Sequence, residues 1–384
     1  MQHLKGVGQK VPDNWVGGVP DIGDWYIGNS TSPIVRLKNE QDEEEQQPIW
    51  NVYGRIIGTE QREKKIIIGN HRDSWTFGSA DPHSGTAIMM ELARIFGDLL
   101  SRGWRPLRTI QFMAWDAEEY HLIGSTEYVE QNDELLRTNG VAYINLDTAV
   151  WGRQLTAAGS PVYRKLLLSA LNRVGDPNAN TSLRDLWDRR GGKLEGLGAG
   201  SDYVAFQDIV GTSSLDLFFG SEEKFPYHSS YENYDWMERV GDPGFTYHTL
   251  LGQVVGLILL ELSERPILPF DMAAYADALP QWVDELRTWT EDKGINQDGN
   301  TPFDLTVLRD AADEAAKSIR DFEKWQTSWE SSVVAASGWE PTSLGRKRGE
   351  YNNRMAKFET DLLDSAGVSW HIVPIGLGRK MNMY

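Results

Sequence analysis

Short clusters of histidine and carboxylate residues stand at intervals along this sequence. His71-Arg72-Asp73 is followed, ten positions after His71, by Asp81-Pro82; Asp116-Ala117-Glu118-Glu119, Asn145-Leu146-Asp147 and Tyr227-His228 come later. The chain has no cysteine, so disulfides and thiolate metal sites are excluded and any metal must be held by His, Asp and Glu. Two zinc ions roughly 3.5–4 Å apart need one shared carboxylate and further nitrogen and oxygen ligands on each. Asp81 suits the bridge, leaving His71 with Asp147 on one ion and Glu119 with His228 on the other. Three carboxylates and a bridging hydroxide would balance two Zn²⁺, a balance that a buried centre requires.

Further roles follow from that arrangement. Glu118, beside a ligand and expected to point elsewhere, is the candidate general base that takes a proton from the bridging water and delivers it to a leaving amine. Asp73 is expected to accept the second ring N–H of His71 and fix its tautomer. Tyr227 is a candidate donor to an oxyanion, and Asp81–Pro82 a candidate cis peptide. A lone histidine, or the pair Glu118-Glu119 by itself, is ordinarily a hydrogen-bonded or solvated group; the joint placement carries the reading. His83 and His121 flank the motifs and are not counted as ligands. His3, His248 and His371 lack acidic strand-end surroundings and are read as structural.

The elements that must position these residues alternate between strand and helix from about 51 to 265. Ile66-Ile67-Ile68 predicts a short buried strand, 84–100 a helix with Ile88, Leu92, Ile95, Phe96 and Leu99 on one face, and 109–114 the next strand. A helix over 124–132, a strand over 141–146, a helix over 161–171, a strand over 213–219 and a helix over 247–262 complete the pattern. This is an α/β fold, a mixed sheet sandwiched by helices, and each cluster falls at a strand end or in a loop beside the sheet, where such folds bind ligands. Beyond Pro266 and Pro269 the stretches 272–289, 305–332 and 349–363 read as amphipathic helices of a C-terminal helical domain, with Pro280 breaking or kinking the first. Residues 1–50 are rich in Gly, Pro and charge. The run Asp42-Glu43-Glu44-Glu45 reads as a solvated loop, and a strand is expected over 32–38.

The 384 residues carry Lys+Arg 38 against Asp+Glu 56, a net charge of -18. That balance argues against nucleic acid, whose phosphates need clustered Lys and Arg. The polar start carries no signal-peptide pattern, and the most apolar stretch, 250–262, is too short to span a bilayer. Asn29-Ser30-Thr31 and Asn180-Thr181-Ser182 match the glycosylation sequon, a pattern too short to weigh much.

Gly69-Asn70-His71-Arg72-Asp73-Ser74-Trp75, Asp81-Pro82-His83-Ser84-Gly85, Trp115-Asp116-Ala117-Glu118-Glu119 and Tyr227-His228-Ser229 closely resemble the glutamate carboxypeptidase II and transferrin receptor family. Similarity extends through Gly103-Trp104-Arg105-Pro106 and Gly124-Ser125-Thr126-Glu127. The receptor branch has lost the zinc ligands, whereas this chain keeps all five and so resembles the peptidase branch. The resemblance implies a zinc exopeptidase (phosphorylase/hydrolase-like) fold in three parts. Residues 1–50 would be a remnant of an inserted protease-associated domain and linker, 51–265 an incomplete zinc peptidase domain, and 266–384 a helical domain for homodimerisation. The whole would be a truncated fragment of the family's usual length.

The same resemblance implies two Zn²⁺ per chain and a small peptide substrate. It also implies calcium ligands at Glu127 and Glu130, with partners outside this chain, and a secretory, vacuolar or membrane-anchored location. Where glutamate carboxypeptidase II has an arginine patch for acidic side chains, this chain has Asp216 and Phe218. Gly200-Ser201-Asp202 matches a Gly-Asn-Asp element, with Ser201 in place of Asn. Such a pocket should disfavour an acidic penultimate residue and tolerate neutral or apolar ones. Arg379 and Lys380 lie near where a family lysine recognises the terminal carboxylate. The expected activity is therefore cleavage near the carboxyl end of small peptides. The alternatives are an aminopeptidase using the same centre or a catalytically silent binding protein.

Overall fold

The structure is a computed structural model that describes residues 5–16, 23–34, 36–44, 46–295 and 304–363. His3, His371, Arg379 and Lys380 lie outside the described residues. The chain divides into two units, Met1–Pro48 and Ile49–Tyr384. In the first, bridges between Gly8 and Gly28 and between Lys10 and Tyr26 join two extended stretches, and Lys10 pairs with Asp24 at 2.9 Å. The strand expected over 32–38 does not form among the described residues. Ile34 and Leu37 are exposed, and an alternating pattern without a neighbouring strand has nothing to pair with or pack on.

Among the described residues of the second unit eight strands are ordered β1 (Val52–Ile56), β2 (Gln61–His71), β3 (Arg108–Trp115), β4 (Gly140–Asn145), β5 (Gln154–Gly159), β6 (Gly175–Asp176), β7 (Thr181–Ser182) and β8 (Ser214–Gly220). Between them run α1 (His83–Ser101), α2 (Ile123–Gln131), α3 (Asp133–Asn139), α4 (Arg164–Arg173), α5 (Leu183–Arg189), the one-turn α6 (Tyr234–Trp236) and α7 (Thr246–Glu264). Six strands form one sheet in the order β1-β3-β2-β4-β8-β5, and β6 and β7 pair separately. The four central strands are parallel, with β1 and β5 antiparallel at the edges. The sheet is therefore mixed.

Side-chain alternation explains the layers. Ile66 and Ile68 face a core that includes Leu92 and Phe96 of α1 and Val254 and Ile258 of α7. Ile67, between them, faces the other side with Met113, Trp115, Tyr143 and Phe206. A parallel strand buried on both faces carries an unbroken apolar run, which is how these isoleucines read in the sequence. β2 is longer than expected because its pairing with β3 runs from Gln61 opposite Arg108 to His71 opposite Trp115. The edge strands β1 and β5 were not anticipated: β1 is mostly exposed and carries no apolar alternation to mark it.

Three further helices follow, α8 (Met272–Asp292), α9 (Thr306–Ala335) and α10 (Thr342–Ala356). Pro280 does not break α8, which runs through it unbroken. Leu279 and Val283, on either side of the proline, pack with Leu305, Leu308 and Ala312, so tertiary burial overrides the local penalty. α10 begins directly after Pro341, earlier than the expected 349, and a separate turn at Thr360–Leu362 follows it. α10 is bonded to the turn before β2 and to the segment after α7. Arg348 reaches Glu60 and Glu340, both at 2.8 Å, and Asn352 bonds the backbone at Pro266 and Leu268. Among the described residues no single helix is long and apolar enough to cross a membrane.

Candidate metal centre

The carboxyl ends of the four parallel strands carry the chemistry. β2 ends on His71, the Glu118-Glu119 turn follows β3, Asp147 follows β4, and the loop after β8 holds His228. Asp81 sits in the loop between β2 and α1, behind a cis Asp81–Pro82 bond. Gly85, in the first turn of α1, lets that helix come close: a Cβ there would stand 2.7 Å from the carbonyl oxygen of Asp147.

Among the described residues two clusters each gather three candidate ligand atoms within 4.8 Å of one another, His71 with Glu118 and Asp147, and Asp81 with Glu119 and His228. His71 Nε2 lies 2.9 Å from Asp147 Oδ1 and 3.3 Å from Asp81 Oδ1. His228 Nε2 lies 3.0 Å from Asp81 Oδ2 and 3.3 Å from Glu119 Oε2. Asp81 thus turns one oxygen to each imidazole. Glu118 does not point away, as expected, but inward, with Oε2 at 3.8 Å from His71 Nε2. Glu118 and Asp81 both face the His71 ring, yet of the two Asp81 lies nearer and also reaches His228.

The protonation of His71 bears on what the cluster can hold. Its Nδ1 lies 3.0 Å from the carbonyl oxygen of Asp73, an acceptor only, so Nδ1 carries a proton. Nε2 then turns toward carboxylates and needs positive charge between itself and them. Burial opposes the charged ring, but hydrogen bonds that it donates to Asp147, Asp73 and Asp81 outweigh it and hold His71 well above its usual value. A proton can supply that charge; so can a divalent cation held by the same atoms. The acids carry the complementary signature. Burial, with help from Asp147, Asp202 and Glu119, pushes Glu118 up to about 9; burial and Asp81 push Glu119 up to about 7. An excess of buried negative charge of this kind suits cations.

Backbone geometry aims the acids. Ala117 before the Glu118–Tyr120 turn, and His121 and Leu122 after it, all take left-handed conformations, with φ of 55°, 67° and 59°. Such conformations cost about 1–3 kcal/mol each in residues other than glycine and persist where the surroundings hold them. Here the holder is Asp73, whose carboxylate accepts the Glu118 amide at 3.1 Å and the Glu119 amide at 3.2 Å. Its carboxylate stands farther from His71, 3.5 Å from Nδ1. The expected tautomer-fixing contact therefore comes chiefly from the Asp73 backbone, and the Asp73 side chain serves the neighbouring turn.

Residues assigned to substrate are placed differently. Ser201 Oγ donates to Asp147 Oδ2 at 2.5 Å and accepts from Asn145 Nδ2 at 2.9 Å. The same nitrogen bonds Asp216 Oδ1 at 2.9 Å. Asn145 Oδ1 in turn accepts from Tyr143, and Tyr143 from Trp115, a chain of bonds from the core to Asp147. Burial pushes Asp216 and Asp202 each up to about 7. Phe218 stacks on Trp151 with ring centres 4.8 Å apart, and Gly200 is exposed with its amide toward the Tyr203 hydroxyl. Tyr227 stacks on the His228 ring at 3.6 Å; burial and the nearby acids keep its phenol protonated.

Other candidates lie apart. Glu127 and Glu130 are exposed on α2 and belong to neither three-ligand cluster. His83 bonds the Phe77 carbonyl, and His248 pairs with Asp242 at 2.7 Å, a structural contact. A cavity lined by Arg55, Arg62 and Arg105 contains none of the candidate ligands. Sequence reasoning missed Asn145 and Glu232; Glu232 accepts backbone amides from both the Asp81 and His228 loops.

Residues 51–241 match peptidase family M28, and residues 303–373 match the transferrin receptor-like dimerisation domain. A probable glutamate carboxypeptidase of Arabidopsis thaliana is 43% identical over 263 residues, 66% of this chain and 37% of that protein. The aminopeptidase NAALADL1 of Mus musculus is 38% identical over 253 residues, 61% of this chain and 34% of that protein. An inactive zinc metalloprotease of Schizosaccharomyces pombe is 28% identical over 383 residues, 97% of this chain and 46% of that protein. The chain thus spans less than half the length of these relatives.

Proposed function

Because residues 51–241 match peptidase family M28, we propose that the chain carries the two-zinc centre of an exopeptidase acting on small peptides. The observation that carries this reading is Asp81, one carboxylate facing two imidazoles with an oxygen each, at 3.3 and 3.0 Å. His71 and Asp147 would hold one ion, Glu119 and His228 the other, and Asp81 both. Bound zinc supplies a polarised carbonyl and a water acidic enough to react near neutral pH. Glu118 accepts the proton released in the attack and passes it to the leaving amine. The Tyr227 hydroxyl, protonated beside the acids, donates to the developing oxyanion.

Asp216 and Phe218 supply no positive charge for an acidic side chain, which favours neutral or apolar ones. In the first reading cleavage is near the carboxyl end, as the name of the Arabidopsis relative states for that protein. A second reading is cleavage at the amino end by the same centre, as the name of the mouse relative states for that protein. Within this proposal residues 51–265 form the peptidase domain and 266–384 the helices of a homodimer, with 1–50 a separate segment before them. Measuring zinc content together with cleavage of dipeptides blocked at either terminus tests the whole reading. About two zinc per chain and turnover of one blocked set supports it and chooses the end. A metal-free, inactive preparation would instead support a silent binding protein.

A further inference from the structure

Glu232 is almost fully buried, 1% exposed, four residues after His228 in a polar loop. Its Oε1 accepts the amides of Ala80 at 3.0 Å and Asp81 at 2.7 Å. Its Oε2 accepts the amide of His228 at 3.2 Å. Its own backbone continues the seam, its carbonyl accepting from Ser79 and its amide donating to the Ser229 carbonyl. One buried carboxylate therefore grips the backbone at two candidate ligands that lie far apart in sequence. His228 needs such a grip, because its left-handed φ of 54° is a conformation that residues other than glycine rarely keep unaided.

We propose that Glu232 is a positioning residue that sets the separation of Asp81 and His228 and so builds one half of the metal centre, without itself holding metal. The inference rests on the two-zinc reading. It assigns Glu232 the same task on this side that Asp73 performs for the Glu118-Glu119 turn. In each case a carboxylate accepts backbone amides on the strand-end loops, so the side chains of those loops stay free to face the metal site.

The test uses the full chain with Glu232→Gln and Glu232→Ala, and zinc alone as the probe. Glutamine keeps one acceptor oxygen but presents an NH₂ donor to the other loop, whose N–H also donates, so one loop must come free. Titration against a competing chelator should show the zinc equivalent at Glu119 and His228 weakened about 10–100-fold, the usual cost of losing a residue that orients a ligand, and the other, which shares only Asp81 with that side, weakened less. In the metal-free protein, hydrogen exchange at Ala80, Asp81 and His228 should quicken together in Glu232→Ala, while Glu118 and Glu119, held by Asp73, keep their protection. Two unchanged affinities, or both weakened alike with a general loss of protection, would overturn the proposal. If the unaltered chain binds no zinc, the two-zinc reading falls on its own, and the exchange pattern still decides whether Glu232 holds the two loops.

Discussion

The two halves of the candidate centre are built on different principles. His71 and Asp147 stand at or just beyond the ends of β2 and β4, neighbouring parallel strands whose register is set along their length, with Ile68 opposite Ile144 and Gly69 opposite Asn145. The His71 side chain is 1% exposed. Asp81 and His228 lie on loops, the His228 side chain is 30% exposed, and no strand register aligns them. The strand-borne half inherits its geometry from the sheet, where slippage by one residue would send every side chain to the opposite face. The loop-borne half has no such constraint and depends on a residue that grips backbone, Glu232. A centre of this kind is as firm as its least supported half.

The contrast can be broken or sharpened by experiment. Replacing Glu118, which faces His71, should have the largest effect: Glu118→Gln lowers turnover about 10²–10⁴-fold with zinc content unchanged. Retained turnover would move proton transfer away from the strand-borne half. Ser201→Ala should come next. It removes the hydroxyl on Asp147 and weakens zinc at that half by about 10–100-fold, while Ser201→Thr, which keeps the hydroxyl, restores most of it. Equal weakening of both zinc equivalents would erase the distinction between the halves.

The smallest effect is on stability against pH in the metal-free protein. Glu118 is raised to about 9, and Glu119, Asp202 and Asp216 to about 7, all chiefly by burial. A carboxyl whose folded value lies above its unfolded value favours folding below the unfolded value, and that contribution is lost as pH rises through the folded one. The thermal midpoint should therefore fall by several degrees between about pH 5 and 9, and added zinc should flatten the slope. A midpoint that rises over that range would mean these acids are not desolvated.

Much of the fold was legible because burial imposes periodicity. The isoleucine run of β2 and the apolar face of α1 announce themselves, and the ligand residue types stand out beside them. The edge strands β1 and β5 leave little trace, since each has a single neighbour in the sheet. The expected break at Pro280 fails for the opposite reason: a strong local rule gave way to packing by Leu279 and Val283 that no local window contains. Ser201 and Asp216, legible only as departures from a family pattern, turn out to bond Asp147 and Asn145.

By itself, the sequence determined which residue types were available for chemistry, that cysteine took no part, and that the clusters fall where an α/β sheet presents its loops. The fold alone decided that Asp81 faces two imidazoles at once, that Glu118 turns inward, and that Asp73 and Glu232 grip the ligand loops. The reason is physical. A metal ligand needs a particular side chain and so leaves a mark in the sequence, whereas a backbone amide is offered by nearly every residue, and only folding selects which carboxylate it meets.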